Sequence, residues 1–197
     1  MLTVFATNQI ALYLFGISSA IWIVLELFFA VTRNRAQGAQ TQDRASGMFL
    51  IVCLYAGIFL GLNTSFSARQ FAIPWNRTLL FGIGIFFILA GEAFRWYAIS
   101  VLEKFFTTVI AIQPGHTVIE KGPYHYIRHP SYSGAILSFL GFGLALTNWL
   151  SFGLVLLGTA LGYGYRVNLE ERALIDGLGQ PYRDYMQRTK RFIPFVY

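Results

Sequence analysis

All three histidines of this 197-residue chain, His116, His125 and His129, fall in one polar stretch, 115–134, set between long apolar runs. Two pairs of opposite charge stand at helical spacing elsewhere: Arg166 with Glu170, four apart, and Glu92 with Arg95, three apart. These residue types suggest a metal centre, a serine hydrolase, a phosphate cradle or a recognition site for a charged ligand. A metal site is disfavoured by the spacing of nine and four. Pro130 and the Gly122-Pro123 turn oppose a helix that would bring His125 and His129 onto one face, and there is no H-E-x-x-H pattern or nearby cysteine. Ser131 and Ser133 lie near His129 but without a G-x-S-x-G elbow. No G-x-x-x-x-G-K loop is present, nor a G-x-G-x-x-G loop opening a helix after a strand. The charged-ligand reading remains. An arginine holds a carboxylate or phosphate through two parallel bonds, and a glutamate holds an ammonium group. Spacing alone allows Arg166 and Glu170 to be an ordinary solvated pair. It also allows Glu92 and Arg95 either to reach the interface together or to line a polar cavity.

The elements that must position these residues are membrane helices. The chain is 55% hydrophobic, 17% aromatic and only 12% charged, where a soluble domain carries about 25% charge. Its length fits one domain. Its net charge of +6 resides mostly between and after the apolar runs, which favours membrane orientation over nucleic-acid binding. Apolar runs at about 10–31, 48–66 and 78–102 read as three spans. Two shorter runs, 132–146 and 149–165, are parted only by Thr147-Asn148 and read as a tight helical hairpin. Its glycines (Gly134, Gly141, Gly143, Gly153, Gly158, Gly162 and Gly164) favour close approach of these two helices. The expected fold is therefore all-α with five transmembrane helices.

No basic residue precedes the first run, while Arg33 and Arg35 follow it, so it reads as a retained helix with its N-terminus outside. Glu26, in the last turns of that helix, is most simply interfacial. Cys53, the single cysteine, excludes an intrachain disulfide and reads as a small buried apolar residue. Five spans place three segments inside: the 32–46 loop with Arg33, Arg35 and Arg44, the polar stretch with Lys104, Lys121 and Arg128, and the basic C-terminal tail. Arg69 and Arg77 lie outside, beside the interfacial Trp75. The last helix has good helix formers beyond the membrane as far as Gly177. Pro181 starts a short interfacial helix with Tyr182, Tyr185 and Met186 on one face. The residues after 104 also include an extended, Thr- and β-branched-rich segment at 105–113.

These residues resemble the isoprenylcysteine carboxyl methyltransferase family, within a wider group of membrane protein and phospholipid methyltransferases. The similarity is carried by Gly115-His116-Thr117-Val118-Ile119, Gly122-Pro123-Tyr124, Arg128-His129-Pro130-Ser131-Tyr132-Ser133-Gly134, and Arg166 with Glu170-Glu171 before Gly179-x-x-Tyr182. It covers about 105–194, while the three spans of 1–104 show none. The resemblance implies one membrane methyltransferase domain over 1–197, with the catalytic part at 105–197 and a cytoplasmic site built from the polar stretch and the tail. It implies that S-adenosylmethionine is held by His116, Thr117, Val118, Ile119, Tyr124, His129, Pro130, Ser131, Tyr132 and Glu170. It implies that Arg166 contacts the acceptor carboxylate as the catalytic, substrate-binding arginine; Glu92 and Arg95, outside the similarity, are further acceptor-site candidates by their charge within the third span. Eukaryotic members also use a glutamine upstream of the histidine; here the linker is shorter and Gln113 stands only three residues before His116.

The expected acceptor is a prenylated peptide or other lipophilic carboxylate entering from the bilayer among membrane lipids, with no metal and no nucleic acid. The physics agrees. Tyrosine faces and carbonyls suit a sulfonium, Glu170 suits an amino group, and a carboxylate of pKa near 4 is already a nucleophile at neutral pH. Three alternatives remain: a phospholipid N-methyltransferase, an NADPH-dependent sterol-type reductase, which shares related R-H-P-x-Y patterns, and a non-enzymatic membrane binding or transport protein.

Overall fold

The computed structural model describes residues 3–32, 40–43 and 45–194. A single turn, α1 (Val4–Thr7), leads into α2 (Gln9–Thr32). After β1 (Gln40–Asp43) come α3 (Ala45–Ser67) and α4 (Arg77–Leu102), then β2 (Ile110–Ile112), α5 (Pro130–Ala145), α6 (Trp149–Leu178) and α7 (Gln180–Arg188). Among the described residues, four helices are long and apolar enough to cross a bilayer: α2, α3, α4 and α6. Their outward faces carry exposed Ile, Leu, Val and Phe side chains, as lipid-facing surfaces do.

The expected fifth span is α5. With 16 residues it is about 24 Å long, short of the ~30 Å hydrocarbon core. By contrast the 30 residues of α6 measure about 45 Å, so several turns at one end stand clear of the core. Pro130, at the first position of α5, needs no donor there. The start of α6 is capped by the Asn148 side chain, which accepts from Ser151 N at 3.1 Å. Gly179, at φ +66°, ends α6 and turns the chain into α7.

The last two helices do not pack chiefly on each other. The glycines expected to join α5 to α6 instead seat each of them on an earlier helix. A Cβ on Gly134 would lie 2.7 Å from Arg95 N, and one on Gly141 2.5 Å from Gly84 O, so α5 lies backbone to backbone on α4. A Cβ on Gly158 would collide with the Cys53 carbonyl, and one on Gly162 would lie 2.8 Å from Leu50, so α6 lies on α3. Only Gly143 faces across α5–α6, where a Cβ would meet Phe152 at 3.0 Å; Gly153 and Gly164 face open space. Small residues let two backbones approach whichever helix supplies the partner. Cys53 is half-buried at the α3–α6 contact.

At one end of the bundle the α5–α6 connection is tied down by Ile73 N donating to Thr147 O at 3.0 Å and Asn148 Nδ2 donating to Ala68 O at 3.0 Å. Exposed Trp75 lies near Trp149 at this end. At the other end β1 and β2 form an antiparallel ribbon pairing Gln40 with Ile112 and Thr41 with Ala111. A Cβ on Gly177 would meet Ile112, so the first interhelical loop, the polar stretch and the protruding end of α6 converge there. Arg33, Arg35 and Arg44, which carried part of the orientation argument, lie outside the described residues.

Candidate active site

The polar stretch, the strand before it and the end of α6 enclose a narrow cleft, open at its mouth, with about 60 Å³ of free volume. Its polar lining is His116, Tyr124, Arg128, His129, Ser131, Tyr132, Arg166 and Glu170, and its apolar wall includes Leu102, Phe105, Phe106, Val109 to Ile112 and Leu174.

Each polar residue is placed by a local device. Gly115, at φ +73°, turns the chain so that His116 stacks on Phe105 with centroids 4.7 Å apart. Gly122, at φ +56°, and Pro123 make a 3-10 turn that buries Tyr124, and Tyr185 Oη of α7 donates to the Tyr124 carbonyl at 2.6 Å. His129 and Tyr132 stack at 5.4 Å with ring planes 7° apart, and Tyr163 leans on Tyr132 at 5.0 Å.

Arg166 and Glu170 share a face of α6, as their spacing requires, yet their link runs through a third residue. Tyr132 Oη donates to Glu170 Oε2 and accepts from Arg166 Nε at 2.9 Å. Arg166 Nη2 donates to the Thr108 carbonyl at 2.6 Å, and the residue is 4% exposed. Neither pair member is a solvated surface charge.

Among the described residues the buried His116 Nδ1 of the lining has no hydrogen-bond partner, while the buried Tyr124 hydroxyl lies beside Ser131. A buried polar atom left unpaired costs about 1–3 kcal/mol, so His116 Nδ1 is open to a partner from outside the chain. Burial lowers the His116 pKa from its ordinary value, with Glu170 acting in the opposite sense, so the imidazole is held neutral. Burial, reinforced by Glu170, raises the Tyr124 phenol, which keeps its proton to donate.

Behind the cleft is a second polar cluster that spacing did not reveal. Glu171, 3% exposed, accepts from Arg128 Nε at 2.8 Å and Arg191 Nη2 at 2.7 Å, with His129 Nε2 at 3.4 Å. Arg128 Nη1 also donates to the Met186 and Thr189 carbonyls. Arg128 N donates to Lys190 O at 2.7 Å and His129 N to Arg191 O at 3.0 Å. Residues 188–192 are thereby strapped along the polar stretch. The only prior sign of this lock was the second glutamate of Glu170-Glu171 beside a basic tail.

Of the residues expected to hold the donor, His116, Tyr124, His129, Ser131, Tyr132 and Glu170 line the cleft together with Arg166. Thr117, Val118, Ile119 and Pro130 do not line it; Thr117 is exposed, Val118 and Ile119 are half-buried, and Pro130 is buried at the start of α5. Glu92 and Arg95 do not line it either, and the i,i+3 pair does not form: Arg95 takes Glu26 of α2 instead, at 2.6 Å. Glu92 is buried, and neither carboxylate oxygen has a hydrogen-bond partner among the described residues. His125 is exposed and does not line the cleft.

Residues 83–176 match the model of the isoprenylcysteine carboxyl methyltransferase (ICMT) family. A rice (Oryza sativa subsp. indica) protein named as a probable protein-S-isoprenylcysteine O-methyltransferase is 31% identical over 116 residues, covering 58% of this chain and 61% of its own length. The Tribolium castaneum protein-S-isoprenylcysteine O-methyltransferase is 28% identical over 153 residues, covering 77% of this chain and 53% of its own. YpbQ of Bacillus subtilis, an uncharacterised protein, is 30% identical over 87 residues, covering 44% of this chain and 52% of its own. These matches span about half to three fifths of the relatives. Among solved structures, the eukaryotic intramembrane Ras methyltransferase ICMT without a monobody superposes with TM-score 0.59 at 22% identity, covering 91% of this chain and 67% of that one. The chain shares that membrane fold, and it is an integral membrane protein.

Proposed function

We propose, from the match of residues 83–176 to the isoprenylcysteine carboxyl methyltransferase family and from the chemistry of the cleft, that this protein methylates a lipophilic carboxylate with S-adenosylmethionine. The acceptor class is a prenylcysteine or a similar lipid-linked carboxylate reaching the cleft from the bilayer. The whole chain acts as one membrane methyltransferase domain. Its N-terminus lies outside, and the cleft faces the cytoplasm with the basic tail.

The observation that carries this reading is the linked Glu170, Tyr132 and Arg166 in a cleft that also holds the unpaired His116 Nδ1 and the buried Tyr124 hydroxyl. A carboxylate, stacked aromatic rings and polar groups open to a ligand fit a base, an ammonium group and a sulfonium. Tyr124, His116 and Ser131 would receive the donor's polar edges, and Glu170 its amino group. The donor supplies an electrophilic methyl: the carboxylate oxygen forms the new C–O bond while the C–S pair stays on sulfur as a neutral thioether, and no proton moves. Arg166 has two donors committed, to Tyr132 and to Thr108, and keeps others for the acceptor carboxylate. The residues therefore act by alignment and by exclusion of water, not as acid or base.

Ligand-dependent melting of detergent-purified protein tests the reading. S-adenosylhomocysteine raises the melting temperature and NADPH does not, and labelled methyl passes to a farnesylcysteine-type acceptor as a base-labile ester. Stabilisation by NADPH alone, or a label found on an amine, refutes it.

A further inference from the structure

Glu26 is the one charged residue of α2, and it lies outside the segment matched by the family. Its carboxylate meets Arg95 of α4 twice: Nε is 2.6 Å from Oε1, and Nη2 donates to Oε2 at 3.1 Å. The third side of the guanidinium turns inward, where Nη1 donates to the Ser131 carbonyl at 3.0 Å. Ser131 is in the first turn of α5 and lines the cleft; the next residue, Tyr132, carries the hydroxyl that joins Glu170 to Arg166. At the same level the α5 backbone lies directly on α4, since a Cβ on Gly134 would be 2.7 Å from Arg95 N.

An ion pair is a costly way to join two membrane helices. Apolar side chains of similar volume hold helices together as well or better. Arg95 pairs with Glu26 rather than with Glu92, one turn away on its own helix, whose buried carboxylate has no hydrogen-bond partner among the described residues. What the charged pair achieves, and an apolar pair would not, is a fixed donor on the Ser131 carbonyl.

We propose that Arg95 is a positioning residue for the transfer site, clamped by Glu26 so that it anchors the first turn of α5 and with it the Tyr132 hydroxyl. The first span thus helps set the geometry of a site to which it contributes no lining residue. The proposal rests on the methyltransferase reading for its kinetic consequences. Its structural consequence, a held first turn, stands apart from that reading.

The test is the double variant Glu26→Leu with Arg95→Met in the full-length protein. The expected result is a melting temperature equal to or above wild type, S-adenosylhomocysteine affinity within about threefold, and kcat lower by about 10- to 100-fold, as a displacement of about 1 Å at a reacting centre would give. The reversed pair, Glu26→Arg with Arg95→Glu, restores the ion pair but offers Ser131 no donor, so kcat stays low. Wild-type kcat in either variant overturns the proposal. So does an apolar variant that no longer folds, because the pair would then be a staple of the bundle. Hydrogen exchange at residues 131–134, faster in the apolar variant, reads the anchoring without turnover; unchanged exchange there overturns the proposal. A wild-type protein that neither binds S-adenosylhomocysteine nor transfers methyl refutes the methyltransferase reading instead, and the exchange measurement still decides the anchoring.

Discussion

Replacing Tyr132 by phenylalanine removes one oxygen and leaves the rest of the site in place. The ring retains its stack on His129 and its contact with Tyr163, so folding is expected to persist. The lost hydroxyl takes two bonds with it, the one received from Arg166 Nε and the one given to Glu170 Oε2. Hydrogen bonds to charged groups contribute about 1.5–3 kcal/mol each. Arg166 and Glu170, one turn apart on α6, then have nothing to hold them apart and close on each other, so the donor's amino group and the acceptor's carboxylate lose their separate partners. If one such bond is effective in the transition state, kcat/KM for the acceptor falls about 10- to 150-fold, the conversion of 1.5–3 kcal/mol. The assay is labelled methyl transfer to a farnesylcysteine-type acceptor, with S-adenosylhomocysteine binding measured on the same preparation. Activity within twofold of wild type would refute the assignment of Tyr132 as the spacer between the two charges.

Other consequences are as direct. Glu171→Ala leaves Arg128, 9% exposed at its side chain, without its carboxylate and should cost about 3–5 kcal/mol, read as a lower melting temperature and as faster proteolysis of the strap at 188–192. Gly91→Ala places a Cβ 2.5 Å from Ser138 Oγ and 2.6 Å from Gly134 O; overpacking of this kind costs about 1–3 kcal/mol, and its movement of α5 should lower methyl transfer in parallel with thermal stability. His116 titrates below its ordinary value of 6.5 because it is buried. The unfolded chain therefore takes up a proton before the folded one does. The stability from its neutral form is complete above about pH 6.5 and is lost as the pH falls below that value. The drop in melting temperature between pH 7.5 and 5.5 should be smaller in His116→Phe than in wild type.

Much of this arrangement is legible in the residues themselves. Apolar runs locate α2, α3 and α4 to within three residues at either end, because a bilayer demands length and apolarity of each helix regardless of its neighbours. The polar stretch is visible because nothing else in an oily chain keeps histidines, tyrosines and turn-forming glycines together. Helix pairing is not visible in this way. A glycine marks a face that can be approached closely, not the helix that approaches it, so Gly134 and Gly158 fit α5–α6 contact as well as the observed α4–α5 and α3–α6 contacts. The same limit hides Glu26–Arg95, whose members are 69 residues apart, while spacing favours the unformed Glu92–Arg95 pair. The Arg166–Glu170 spacing places the two residues on one face of α6, but their separation by Tyr132 depends on where α5 starts relative to α6. The apolar wall at 109–112 belongs to a strand set by pairing with β1; the β-branched segment suggests an extended chain without saying what it covers.

The central claim is that the cleft holds a methyl donor through Glu170 and an acceptor through Arg166. Calorimetric binding of S-adenosylhomocysteine to the wild type, Glu170→Ala and Arg166→Ala tests it most directly. Loss of a charge-assisted bond of about 1.5–3 kcal/mol predicts donor affinity at least about 10-fold weaker in Glu170→Ala. Arg166→Ala should remain within about threefold of wild type while transferring no methyl. Undiminished binding in Glu170→Ala, or equal loss in both variants, would contradict the account.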